Sequence, residues 1–217
     1  MNGPSAAAFG FALLFALGNW YAVARPRRVL ALEYVCKPAT LVALIFAAGL
    51  LDPAADAHTR RIWFIAALVC SLAGDVFLMV PGDLFVPGLA AFLVGHLAYL
   101  VGFWVNGPSV GALVVAVIVT VGAVTPVARR VLTAIAASGE PRELRIAVVA
   151  YMVVISAMLA TALATLNTLA AVGAVLFVAS DSMIAWDRFV RKFAWAPVAI
   201  MVTYHLGQVG LVASLVR

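Results

Sequence analysis

Charge is scarce in this 217-residue chain: 11% of its residues are Asp, Glu, Lys or Arg, against 66% hydrophobic. A soluble domain carries about 25% charged residues. Too little polar surface exists to coat a water-soluble globule, which leaves an integral membrane protein. Cysteine is equally sparse. Cys36 and Cys70 both lie within apolar runs, so a disulfide framework is not expected. No HExxH or clustered Cys/His spacing gives a metal signature, and no cofactor is implied. There is no Gly-rich phosphate loop and no GxSxG elbow, so serine-type hydrolysis lacks support. No Lys or Arg precedes the first apolar run, so the basic n-region of a signal peptide is missing and this run is expected to stay as a helix. The net charge of +5 does not indicate a nucleic-acid partner, because the basic residues sit at the ends of apolar runs, where they anchor and orient helices.

What remains is a succession of apolar stretches long enough to span a bilayer, which takes about 20 residues. Eight segments fit: Pro4–Ala24, Leu30–Leu51, Ile62–Val80, Leu84–Val105, Val110–Ala128, Leu144–Leu166, Thr168–Trp186 and Phe193–Val216. Arg25-Pro26-Arg27-Arg28, Asp52-Pro53, Pro81-Gly82-Asp83, Asn106-Gly107-Pro108 and Arg129-Arg130 are read as their stops. Short loops join them, so residues 1–217 are expected to form one all-α membrane domain. Ten loop cations lie on one side (Arg25, Arg27, Arg28, Arg129, Arg130, Arg142, Arg145, Arg188, Arg191 and Lys192). Three (Arg60, Arg61 and Arg217) lie on the other. The richer side should face the cytoplasm, with both termini outside. Arg far outnumbers Lys and Ala is abundant, as in a high-GC bacterial genome, so the inner membrane is the expected location.

Two segments carry a carboxylate where one is costly. Asp75 follows Gly74 in the third, about five residues, or roughly 7–8 Å, from its cytoplasmic end. Asp181 is similarly placed in the seventh. Glu33, Lys37, His96, Tyr151 and His205 also fall in the half nearer the cytoplasm, as a polar cavity open to that leaflet would require. Burial raises a carboxyl's pKa and a second carboxyl nearby raises one further, so a facing pair could serve as general acid and general base. The plainer reading is that each acid pairs with Lys37, His96 or a backbone group and holds helices together. Ser71, four residues before Asp75, shares its face and could orient the carboxyl, or pack against a neighbouring helix. Ser180 adjoins Asp181. Lys37 could hold a phosphate or tune a carboxylate, or snorkel to the interface. His96 and Tyr99 share a face, as do His205 and Gln208, while Tyr151, Tyr204 and Gln208 suit a cavity lining or helix glue equally. The Asp-to-His spacings, 21 from Asp75 to His96 and 24 from Asp181 to His205, would fit a parallel repeat of four helices plus four, or coincidence in an Ala/Val/Leu-rich background.

In this order and on this background, five motifs resemble the YhhN-like lysoplasmalogenase family. They are Lys37-Pro38, Ser71-Leu72-Ala73-Gly74-Asp75-Val76-Phe77-Leu78-Met79, His96-x-x-Tyr99-x-x-x-Phe103, Ser180-Asp181-x-x-Ile184-Ala185-x-x-Arg188-Phe189 and Tyr204-x-x-Gly207-Gln208. Gly207 stands where Ala is expected, and Asp187 before Arg188 is also less typical. The resemblance implies eight helices and hydrolysis of the vinyl-ether bond of a lysophospholipid drawn from the membrane. The products would be a fatty aldehyde and glycerophosphocholine or glycerophosphoethanolamine. Asp75 and Asp181 would be catalytic, and Lys37, Ser71, His96, Tyr99, Tyr151, Ser180, Tyr204 and Gln208 would bind or tune. Two carboxyls suit such chemistry without metal or cofactor, as in glycosidases, since protonating carbon gives an oxocarbenium-like cation that water then attacks. Buried acids and a repeat equally suit a proton-coupled transporter. An intramembrane aspartyl protease would fit Gly74-Asp75, but the second motif lacks the glycine.

Overall fold

A computed structural model describes all residues except 26, 28, 53–56, 106 and 217. The expected stops at Pro26, Pro53 and Asn106, and the charges of Arg28 and Arg217, lie outside the described residues. The described residues form eight α-helices: α1 (Gly3–Ala24), α2 (Leu30–Leu50), α3 (His58–Met79), α4 (Phe85–Trp104), α5 (Val110–Ala137), α6 (Arg142–Ala164), α7 (Thr168–Phe189) and α8 (Ala196–Ala213), the last followed by a 3-10 turn at Ser214–Val216. With that turn included in α8, all eight are long and apolar enough to cross a membrane.

Most boundaries fall where apolar runs meet turn chemistry. Asn2 caps α1 by accepting from the Ser5 amide, Ser109 caps α5 through Ala112, and Asn167 caps α7 through Ala170. The fifth helix departs from expectation. It runs through Arg129-Arg130 to Ala137, 28 residues in all. Two exposed arginines end a membrane crossing without breaking a helix, and Val131 to Ala137 are residues a helix tolerates. Val131 and Ile135, four apart, are buried with Phe85, Leu144 and Val148 in a small core of their own. The break comes at Gly139, whose φ of 74° suits glycine. Helix α3 begins earlier than expected, at His58, α7 continues three residues further, to Phe189, and α8 starts only at Ala196.

The helices pair as hairpins, α1 with α2, α3 with α4, α5 with α6 and α7 with α8. Glycine sets two of these pairings. Gly88, Gly95 and Gly102 recur every seven residues along α4 and all face α3; a Cβ on Gly95 would lie 3.1 Å from the Ala67 carbonyl oxygen. A Cβ on Gly173 of α7 would lie 2.7 Å from the Leu211 amide nitrogen of α8. Small residues at such crossings let membrane helices gain contact where water supplies no driving force. Across the hairpins, α2 adjoins α8 and α4 adjoins α6. These last two contacts place α2, α3 and α8 around one acid, and α4, α6 and α7 around the other. The exterior is apolar, with Phe11, Phe46, Val110, Ile118 and Val153 among its large exposed side chains.

Candidate functional site

Asp75 and Asp181 each sit in a cluster of their own. Asp75 is 1% exposed and ion-pairs with Lys37, whose Nζ lies 3.1 Å from Oδ1. Tyr204 donates its hydroxyl to Oδ2 at 2.8 Å. Lys37 is therefore turned inward, buried against the acid rather than snorkelling to an interface. Asp181 accepts from the Tyr151 hydroxyl, and His96 Nε2 lies 3.3 Å from the same Oδ2 and 2.8 Å from the Tyr151 oxygen. Both contacts fall on Oδ2. Each acid thus draws one partner from the helix preceding its own and one from the other half of the chain. The partners are α2 and α8 for Asp75, and α6 and α4 for Asp181.

An aromatic layer joins the two clusters. The Phe177 ring stands edge-on to His96, with centroids 4.8 Å apart, and edge-on to Tyr204 at 5.3 Å. Phe92 contacts both Phe177 and Tyr204. Gly74 makes room for it, since a Cβ there would lie 2.6 Å from the Phe92 ring. The glycine beside Asp75 thus serves close packing against α4.

A cleft of about 70 Å³ opens among α4, α5, α6 and α7, with Leu78 of α3 also in its lining. Its walls are almost entirely apolar, including Phe85, Leu89, Phe92, Val127, Met152 and Phe189. Asp181, Tyr151 and Ser182 bring its polar groups. Asp75 is not among the lining residues, so the expected single wet pocket between two facing carboxyls differs from what is found. The reason is bulk: Phe92 and Phe177 fill the space between the clusters.

The other expected site residues divide between these clusters and the packing. Tyr99 donates to Gln208 Oε1 at 2.5 Å, linking α4 to α8, and both side chains are fully buried. Ser180 donates to the Ile200 carbonyl at 3.2 Å, tying α7 to α8 away from the cleft. Ser71 is buried with no hydrogen-bond partner for Oγ among the described residues, so it does not orient Asp75 as expected. His205 accepts from Trp20 Nε1 at 3.0 Å and belongs to the α1–α8 contact.

The family model for the YhhN family matches residues 32–215. The chain belongs to the YhhN family. Among curated relatives, the chain is similar to lysoplasmalogenase TMEM86B of Homo sapiens, 36% identical over 151 residues, 70% of this chain and 62% of that protein. It is also similar to lysoplasmalogenase of Mycobacterium tuberculosis, 36% identical over 183 residues, 77% of this chain and 66% of that protein. The chain thus spans a little less than two thirds of the length of these relatives. No solved structure matches.

Sequence reasoning missed the aromatic partition and the rim of the cleft. Phe92 and Phe177 read as ordinary core residues, and only the adjacency of Gly74 to an acid hinted that something large lay beside it. At the rim, Arg188 pairs with Asp83 at 2.9 Å across 105 residues of sequence. No local pattern connects two loop-end charges so far apart.

Proposed function

We propose that this YhhN-family protein hydrolyses the vinyl-ether bond of lysoplasmalogens, releasing a fatty aldehyde and a glycerophosphocholine or glycerophosphoethanolamine. The observation that carries this reading is a carboxyl, Asp181, hydrogen-bonded by Tyr151 and within 3.3 Å of His96 Nε2, on the wall of an otherwise apolar cleft. The names of the relatives support the same substrate class. A lipid tail suits walls of Phe, Leu, Val and Met, and a proton donor at its polar end suits an enol ether.

The chemistry closes without any further group. Protonated Asp181 gives its proton to the alkene carbon distal to oxygen, and the electron pair of the double bond forms the new C–H bond. The remaining cation is shared between carbon and the ether oxygen. The carboxylate left behind faces that cation and stabilises it, and then takes a proton from the attacking water. The hemiacetal so formed collapses to aldehyde and alcohol as a proton moves from its hydroxyl to the departing oxygen. Tyr151 and His96 hold Oδ2 and relay protons to it, which leaves Oδ1 for substrate.

The two acids divide this work unequally. Asp75, ion-paired with Lys37 behind Phe92 and Phe177, moves no proton in these steps and braces α2, α3 and α8 behind the cleft. We place the protein in a bacterial inner membrane, with both termini outside and the cleft in the cytoplasmic half, on the excess of cations at that end. The deciding experiment follows aldehyde release from a lysoplasmalogen by purified protein in detergent. Asp181→Asn should lower turnover by at least about 10²-fold while the protein stays folded. Near-normal rates in that variant would overturn the reading. Solute flux into proteoliposomes without lipid turnover would favour a transporter.

A further inference from the structure

The rim of the cleft carries a charge pair that hydrolysis as described leaves unused. Arg188 follows Asp181 by seven residues on α7, two turns on the same face and about 10 Å along the axis. Its guanidinium lies 4.0 Å from the centroid of the Phe85 ring and 5.7 Å from that of Phe189. Both rings line the cleft. Asp83 holds Nη2 alone, at 2.9 Å and 3.3 Å from its two oxygens, and the two side chains are 35% and 70% exposed. An ion pair so exposed is worth little in itself and exchanges partners readily. Lys37, the cation nearest the other acid, is buried and committed to Asp75.

We propose that the Arg188–Asp83 pair is the binding site for a zwitterionic lysophospholipid headgroup, the guanidinium taking the phosphate and the carboxylate taking the choline or ethanolamine nitrogen. The claim deepens the hydrolytic reading and rests on it for the ligand. The two ion pairs swap: Asp83 gives up Arg188 for the ammonium, and Arg188 gives up Asp83 for the phosphate. Charge is conserved on both sides, so no uncompensated ion is left at the rim. Arginine suits the task, because its planar fork bonds phosphate while its face stays stacked on Phe85. The same ring can meet a quaternary ammonium. The dimensions also agree. Seven bonds separate phosphorus from the carbon that takes the proton, roughly 8–9 Å at the ~1.2 Å per bond of an extended chain. The carboxylate makes the site selective: an anionic headgroup would meet Asp83 with like charge.

The test compares three substrates that share one alkenyl chain: 1-alkenyl-glycerophosphoethanolamine, 1-alkenyl-glycerophosphate and 1-alkenylglycerol. Arg188→Gln should lower kcat/KM about ten-fold or more on the first, mainly through KM, and much less on the phosphate-free third. Arg188→Lys should recover part of that loss. Asp83→Asn should narrow the preference for the first substrate over the second. Equal losses on all three substrates, or no change in KM or preference, would overturn the proposal. A second arm needs no turnover: the purified protein is titrated with non-hydrolysable 1-O-alkyl lysophosphatidylethanolamine, with diacyl phosphatidylethanolamine as competitor. Binding that weakens in Arg188→Gln and resists the diacyl lipid supports the site. Equal competition by the diacyl lipid would make it a general interfacial anchor and sink the claim. Wild-type protein that hydrolyses none of the three substrates would refute the hydrolytic reading alone, with this titration still deciding the headgroup site.

Discussion

Asp75 and Asp181 are the same residue type in the same kind of helix, yet their surroundings assign them different tests. Asp181 lies on the cleft, so its loss should act on rate. Asp181→Asn is expected to reduce turnover by about 10²–10⁴-fold, the range of a general acid–base group, with little change in thermal stability. Asp75 lies in a buried ion pair, so its loss should act on stability. Asp75→Asn strands the Lys37 ammonium and should cost about 3–5 kcal/mol, read as a lower melting temperature in detergent. Removing both charges in Lys37→Met/Asp75→Asn should restore much of that loss, and a double variant no more stable than the single one would refute the account. Asp83 differs from both because it is outside the helices. The hydrogen bond from Arg188, and next its charge, holds the carboxyl below the usual carboxylate range. A depressed value means the pair is intact above the ordinary value and is lost as pH falls through the lowered one. Its influence on KM should therefore be constant from neutrality down to about pH 4 and change only below it. A KM that shifts between pH 5 and 7 in wild type but not in Asp83→Asn would contradict this.

At the scale of helices, glycine decides which surfaces meet. Gly173→Ala places a methyl 2.7 Å from a backbone nitrogen of α8, which cannot move without the helix, and should destabilise by about 1–3 kcal/mol. Gly10→Ala, where nothing lies within 4 Å, serves as the control and should be neutral or slightly stabilising. Comparable melting temperatures for the two variants would show that α7 and α8 are not so close. The helices themselves were legible in the chain, because twenty apolar residues between charged or Pro/Gly stops leave few alternatives. Their ends were less so: Arg129-Arg130 reads as a stop, and only the burial of Val131 and Ile135 against Phe85 shows why α5 goes on. The acids were legible because charge in an apolar run is conspicuous. The aromatic layer was not, because Phe92 and Phe177 look like any other apolar residues until a third dimension sets them between two polar clusters.

For the molecule as a whole, the exterior is the clearest statement of its solvent. Ile118 is 67% exposed near the middle of the apolar stretch of α5. Ile118→Lys would set a cation in hydrocarbon, at a cost of about 2.5–3.5 kcal/mol on insertion scales, and should lower the fraction of α5 that inserts in a translocon assay. Insertion equal to wild type would place that face elsewhere than against lipid. The partner choice of the two acids has a further reach. Asp75 needs Tyr204 and Asp181 needs His96, so a chain cut in the linker near residue 107 leaves each acid one partner short. Fragments produced separately should be inert, and fragments produced together should reassemble and complement one another. Each half of the chain thus lends the other a side chain that its own acid cannot do without.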